Sequence, residues 1–316
     1  MPDDLREPYT STQVAIVGGG GGVGASTAFN LLLRDEPYDV ALIDRRPEMA
    51  VSHEMDLQQV VAQGASGSVR VGGLEDLAGA GIVVVTAAAP LTLNTSRMVY
   101  LDDNVRILRE VTGALAAAPD WPGVLLVVTN PVDVLVTWAV GHTEIPRERV
   151  AGYTLNDSLR LRTALGEELG VAGHRVDAWM IGEHGDAAVA LLERVRVDGV
   201  PISVGASQRA AALDWVRDWY ARHVALDSGR SSTWTSGRGV ARMVAALAHG
   251  DDEPWPASVV LEGEYGIDGV ALSVPVTLGP GGVRAIHEWV LTAGEDAGLR
   301  RAAALVGAAA GELSAA

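Results

Sequence analysis

The stretch Val14-Ala15-Ile16-Val17-Gly18-Gly19-Gly20-Gly21-Gly22-Val23-Gly24-Ala25-Ser26-Thr27-Ala28-Phe29 decides the fold. Its first four residues form an uninterrupted apolar run, which reads as a strand buried in a parallel sheet. From Ala25 to Leu33 the chain is largely apolar again and reads as a helix. Strand, glycine turn and helix in succession make a dinucleotide-binding turn. Glycine lets the backbone bend tightly and approach a pyrophosphate, which then rests on the start of the helix. The five consecutive glycines admit two registers, Gly19, Gly21, Gly24 or Gly18, Gly21, Gly24, with Gly22 and Val23 inside the turn. A flexible glycine linker would not be bracketed so closely by an apolar strand and an apolar helix.

A second strand, 39–43, ends at Asp44, twenty residues beyond Gly24. A carboxylate there accepts both adenosine ribose hydroxyls and repels a 2′-phosphate, which favours NAD over NADP. Arg45 and Arg46 follow at once and pull the other way, because a nearby arginine accommodates that phosphate. Alternation continues with a helix over 48–61, strands over 69–71 and 81–87, a helix over 101–115 and a strand over 124–129. The pattern is that of a doubly wound α/β domain with ligands beyond the strand C-termini. Asn130 stands at such an end, where it can serve both as N-cap of a helix beginning at Pro131 and as an amide facing cofactor and substrate.

Composition excludes several classes. The 316 residues are 48% hydrophobic, enough for a large core, and carry a formal charge of −16. Nucleic acid is not an expected partner, because phosphate neutralisation needs clustered positive charge. All 24 basic residues are arginine, and the absence of cysteine removes disulfides, thiolate nucleophiles and cysteine metal sites together. Residues 1–12 lack the basic and apolar regions of a signal peptide, and no apolar run is long enough to cross a bilayer. The expectation is a cytoplasmic protein with no membrane partner and no metal; His53-Glu54, for example, lacks a second histidine at zincin spacing.

The chemistry is expected in Ile181-Gly182-Glu183-His184-Gly185-Asp186, where one histidine sits in a glycine-flanked acidic turn. Imidazole titrates nearest neutrality, so a histidine held among carboxylates suits proton transfer. Later segments read as structure. Trp215 and Trp219, i,i+4 on a helix over 205–227, are expected to pack rather than to stack on a ligand. Strands are expected over 259–261 and 270–274, and a closing Ala-rich helix within 291–313.

Four further segments, in this order, carry a resemblance: Thr129-Asn130-Pro131-Val132-Asp133, Asn156-Asp157-Ser158-Leu159-Arg160-Leu161-Arg162, Gly182-Glu183-His184-Gly185-Asp186, and Tyr265-Gly266-Ile267 with Leu272-Ser273-Val274-Pro275-Val276. With the glycine turn they run nearly the length of the chain, and together they resemble the lactate/malate dehydrogenase family. The resemblance implies a Rossmann domain over 1–153, an α+β substrate domain over 154–316, NAD as cofactor, and a homodimer or homotetramer acting on a 2-keto or 2-hydroxy acid. It makes His184 the acid/base and Asp157 its carboxylate partner, with Arg160 gripping the substrate carboxylate and Arg97 on a loop that closes over the carbonyl. It adds Asn104, Thr129 and Asn130 to the cofactor contacts.

One position departs from the family. Six residues before Arg97, where lactate enzymes carry Gln and malate enzymes Arg, stands Leu91. A second substrate carboxylate buried against leucine would cost several kcal/mol, about the price of an unpaired ion. The resemblance therefore implies a substrate with an apolar side chain. Arg238, after Ser231-Ser232-Thr233-Trp234-Thr235-Ser236-Gly237, supplies the alternative, since turned inward it would admit a malate-type or phosphonate side chain. Ser232 aligns with a hydroxyl that contacts substrate, and Ser236 replaces an apolar residue beside the nicotinamide. Two other classes are weaker. An NAD-dependent glycosidase needs a cysteine, and a non-catalytic NAD-binding sensor would be free to lose Arg97, Asp157, Arg160 or His184, all of which are present.

Overall fold

A computed structural model describes residues 11–89, 101–118 and 120–314. The strand β1 (Thr12–Val17) holds Val14, Ala15 and Ile16 almost free of solvent, as a run apolar on both faces demands. It pairs in parallel with β2 (Tyr38–Ile43) on one side and β4 (Ile82–Val85) on the other. Outward from these, β3 (Ser68–Val71), β5 (Val124–Val127) and β6 (Val150–Tyr153) extend the parallel sheet in the order β3-β2-β1-β4-β5-β6. The crossovers include α1 (Gly22–Leu32), α2 (Pro47–Ala62), α3 (Leu101–Ala116) and α4 (Val132–His142). The strand order reverses at β1 and β4, so the crevice at their C-terminal ends is where this topology accepts a ligand.

The sheet does not stop at β6. Antiparallel β12 (Asp251–Glu262) pairs with it, followed by β13 (Asp268–Gly279), β8 (Met180–Gly182) and β9 (Ala188–Ala190), while β14 (Gly282–Ile286) pairs with β13 further along the edge that takes β8. Both long strands exceed their expected lengths. Pro254 and Pro256 hide the start of β12, but they precede Ala257 and Ser258, the residues that pair with β6, so their missing N–H groups remove no bond from that ladder.

The remaining elements are α5 (Leu155–Leu169), α6 (Ala206–Ala225), α7 (Thr233–His249), α8 (Ala293–Ser314) and a small sheet of β7 (Val176–Asp177), β10 (Arg196–Val197) and β11 (Val200–Pro201). A second, smaller core of Leu161, Leu165, Val176, Met180 and Ala212 joins α5 and α6 to this sheet. Each of these large side chains, once fully buried, contributes roughly 1.5–3 kcal/mol. The helix α7 lies across α1 at close range: a Cβ added at Gly237 would stand 2.1 Å from Ser26 Oγ, so only glycine permits the approach. Among the described residues no helix is long and apolar enough to cross a membrane.

One boundary differs from expectation. The helix after β5 begins at Val132, Pro131 occupies the cap position without a side-chain cap, and Asn130 lies outside it across a cis peptide bond. Asn130 is therefore not the N-cap.

Candidate active site

The turn that carries the histidine starts at Gly182, where β8 ends with φ +90°, a conformation that favours glycine. Glu183 closes the turn by accepting the Ala187 N–H at 2.9 Å. The imidazole of His184 meets Asp157 on the first turn of α5, with Nδ1 2.5 Å from Oδ2. One helical turn further, Arg160 Nη1 donates to the other oxygen, Oδ1, at 3.1 Å. The i,i+3 spacing on α5 thus lets one carboxylate brace both an imidazole and a guanidinium. The three side chains are 14–20% exposed. Burial lowers the His184 pKa, but the adjacent Asp157 carboxylate, helped by Asp133, outweighs it and leaves the pKa above the usual histidine value.

Asp133 is a residue whose role sequence reasoning missed. Only 2% exposed, it accepts the His184 backbone N–H at Oδ2 (2.6 Å) and the Ser258 hydroxyl at Oδ1 (2.5 Å). Burial pushes its carboxyl up to about 6 in spite of both bonds. It ties the turn of His184 to α4 and β12 at once. The available signal was its place in Asn130-Pro131-Val132-Asp133, an acid in the first turn of a helix that follows a strand.

The cofactor side is built on the glycine turn. Gly18 has φ +92°, and a Cβ there would stand 2.4 Å from the Ala87 nitrogen; one at Gly24 would stand 2.4 Å from the Gly18 carbonyl oxygen. Gly21 is the N-cap of α1, with no side-chain cap and no acid in the first turn, which leaves the positive end of that helix suited to a pyrophosphate. Gly22 and Val23 open the helix. At the end of β2, Asp44 accepts the N–H groups of Gly20 and Arg46, each at 3.0 Å, and so fixes its carboxylate beside the turn. Arg45 pairs with Glu110 of α3 at 3.0 Å, while Arg46 meets Asp44 only through its backbone N–H. These residues fit the dinucleotide.

The three further residues expected at the cofactor lie at the ends of β4 and β5 or brace the loops that follow them. Thr129 donates its hydroxyl to the carbonyls of Val85 and Ala87. The buried Asn104 accepts the Ala89 N–H at 2.8 Å and donates to the Asn130 carbonyl at 2.7 Å, so its amide braces the loops after β4 and β5. Asn130 itself is exposed at the C-terminal end of β5, three residues before Asp133.

Contacts run continuously between the two sides. A Cβ at Gly22 would touch Thr233 at 3.1 Å, the neighbouring Ser232 Oγ lies 3.5 Å from Arg160 Nη2, and Arg160 leads through Asp157 to His184. Ser236 is buried, and its hydroxyl accepts from Asn156 Nδ2 at 2.9 Å, which joins α7 to α5. Arg238 is exposed on α7, between Gly237 and Gly239, which are buried. Trp219, expected only to pack, lies against the guanidinium of Arg160, whereas Trp215 lies beneath Arg222. Leu91 and Arg97 fall outside the described residues.

A dinucleotide turn connected to a carboxylate-braced histidine is the equipment of a nicotinamide-dependent dehydrogenase. Comparison with known proteins specifies which. Residues 12–152 match the lactate/malate dehydrogenase NAD binding domain, and residues 154–306 match the alpha/beta C-terminal domain of the same family. A malate dehydrogenase of Halobacterium salinarum is 37% identical over 287 residues, covering 90% of this chain and 93% of that protein. An L-lactate dehydrogenase of Nitratidesulfovibrio vulgaris is 33% identical over 303 residues, covering 93% and 97%. The crystal structure of the minor L-lactate dehydrogenase from Enterococcus mundtii superposes with a TM-score of 0.87 at 27% identity, covering 96% and 98%. The chain belongs to the lactate/malate dehydrogenase family and is an NAD-dependent 2-hydroxy acid dehydrogenase.

Proposed function

We propose that this enzyme interconverts a 2-keto and a 2-hydroxy acid whose side chain is apolar, with His184, Asp157 and Arg160 as its working residues. Bound NADH supplies the hydride for reduction. Arg160 receives the substrate carboxylate, for which planar guanidinium geometry is suited. The His184 imidazolium gives its proton to the keto oxygen as charge develops there, and Asp157 orients the ring and stabilises its charged form. Asp133 keeps the backbone of the turn in register beneath it. Arg97, by resemblance, polarises the carbonyl when its loop closes.

The observation that carries the substrate class is the supply of cations. Among the described residues the guanidinium braced beside His184 is that of Arg160, while Arg238 is exposed on α7 and Leu91 stands where the family places a polar side chain. A second reading, oxaloacetate and malate, is favoured by the malate dehydrogenases among the relatives. NADH oxidation with pyruvate, oxaloacetate, 2-ketoisocaproate, phenylpyruvate and phosphonopyruvate side by side separates them. The highest kcat/KM is expected for 2-ketoisocaproate or phenylpyruvate; a preference for oxaloacetate or phosphonopyruvate abolished by Arg238→Ala would overturn the apolar reading.

The division at 153/154 and a cytoplasmic location belong to the same proposal, as does assembly into a homodimer or homotetramer. The last is supported by helices with little to cover them. Of its sixteen residues α2 buries only Ala50 and Leu57 and exposes Val51 and Met55, and Trp234 at the start of α7 is 69% exposed. Sedimentation at monomer mass would count against assembly.

A further inference from the structure

We propose that a seam of three polar contacts between α5 and the strand leading to His184 sets the register in which the Asp157 carboxylate meets the imidazole, with Thr154, Ser158 and Ser273 as its positioning residues. The inference rests on the reading of His184 and Asp157 as the acid/base pair. Thr154 stands at the N-cap of α5, where a threonine hydroxyl ordinarily accepts an N–H of its own helix. Here no side-chain cap bond is made, and the hydroxyl pairs instead with Ser273 Oγ of β13 at 2.7 Å. Ser273 is the residue of β13 in register with Gly182, where the turn of His184 starts. Four residues along α5, Ser158 Oγ accepts the Met180 N–H at 3.0 Å. Four further on, Arg162 Nε donates to the Ala178 carbonyl at 3.0 Å. Thr154, Ser158 and Ser273 are all buried.

The spacings of the two elements match. Four residues of helix advance about 6.0 Å and two residues of strand about 6.6 Å. Positions 154, 158 and 162 of the helix therefore meet 182, 180 and 178 of the strand rung by rung, the first through Ser273, with the chains running in opposite directions. The cluster that Leu161 and Leu165 form with Val176 and Met180 buries apolar surface, but that attraction has no direction and tolerates a slide. Hydrogen bonds do not. Asp157 lies between the first two rungs and His184 two residues beyond Gly182, so a slide of α5 along the strand opens the 2.5 Å contact of Nδ1 with Oδ2. Asp133 fixes the turn to α4 through the His184 N–H; the seam fixes α5, and Asp157 with it, to the same turn. The charged groups acting on the imidazole are Asp157 and Arg160 of α5 and Asp133 of α4. None of them belongs to the seam, so loss of a rung changes their geometry and not their charge.

Thr154→Val keeps the shape of the side chain and removes its hydroxyl, and Ser158→Ala takes away the acceptor of the Met180 N–H. Each is expected to lower kcat/KM for keto-acid reduction about fivefold at low pH, as for the loss of one hydrogen bond, with KM for NADH unchanged. A weaker contact with Asp157 stabilises the imidazolium less, so the alkaline limb of kcat/KM should move to lower pH by about half a unit. Thr154→Ser, which keeps a hydroxyl at that position, should retain the parent profile. A role confined to stability would lower Tm and leave the limb in place. An unmoved limb in either hydroxyl-free variant, or equal effects of Thr154→Val and Thr154→Ser, would overturn the proposal. His184→Asn is measured alongside: retained turnover there removes the acid/base reading itself, whereas its loss with unmoved limbs at Thr154 and Ser158 refutes the seam alone.

Discussion

Replacing Asp157 by asparagine tests the core of the site with almost no change of shape. The carboxylate accepts from His184 Nδ1 at 2.5 Å and from Arg160 Nη1 at 3.1 Å, and both partners are donors. An amide has one acceptor end. If its oxygen faces His184, its NH2 meets the guanidinium donors; if reversed, it meets the imidazole N–H. One bond is lost in either orientation, together with the full negative charge. A hydrogen bond to a charged group contributes about 1.5–3 kcal/mol, and opposite charges about 4 Å apart at an effective dielectric constant near 20 attract by about 4 kcal/mol. A net loss of about 3 kcal/mol from the imidazolium corresponds to roughly a hundredfold fall in kcat for keto-acid reduction. The sign of the pH effect follows from the raised His184 pKa. Reduction needs the protonated ring, so activity is present at low pH and is lost as pH rises through that pKa; without the carboxylate this limb moves to lower pH. Steady-state NADH oxidation across pH measures both quantities. A variant within threefold of the parent enzyme, with the alkaline limb unmoved, would refute the reasoning.

Asp133 offers a test on stability. A carboxyl that titrates at about 6 in the fold and at about 3.9 when unfolded makes the native state the tighter proton binder between those values. Its contribution to stability therefore falls by about 3 kcal/mol as pH rises through that window, and Asp133→Asn should remove the slope. Urea unfolding of both proteins at several pH values checks this, and identical slopes would show that the buried carboxyl is not titrating there. On the cofactor side, Asp44→Ala frees the N–H groups of Gly20 and Arg46 and removes the charge that repels a 2′-phosphate. KM for NADH should rise about tenfold and the NADPH to NADH ratio of kcat/KM should increase, in line with the loss of a charged hydrogen-bond acceptor; an unaltered ratio would remove Asp44 from cofactor selection.

The parallel half of the sheet was legible because its central strands β1, β4 and β5 are apolar on both faces and its first turn is rich in glycine, both local properties. The extent of β12 was not legible, since Pro254 and Pro256 break a strand by local rules and are tolerated only because of where the β6 ladder begins. The same division runs through the site. His184, Asp157 and Arg160 could be named from short segments, and the resemblance gave them roles. The internal hydrogen bonds of Asn104, Thr129 and Ser236 could not be read, because a polar side chain does not announce which group of its own protein it will meet.

The sequence by itself determined the class of fold, the cofactor turn and the types of groups available for chemistry, since these depend on periodicity and on residue kind at short spacing. Only the tertiary structure decided that Asp133 underlies the catalytic turn and that Trp219 lies against the Arg160 guanidinium. Those two contacts join residues 51 and 59 positions apart in the chain. Distances of that kind are settled by how helices and sheet pack, and packing is a property of the whole chain folded at once.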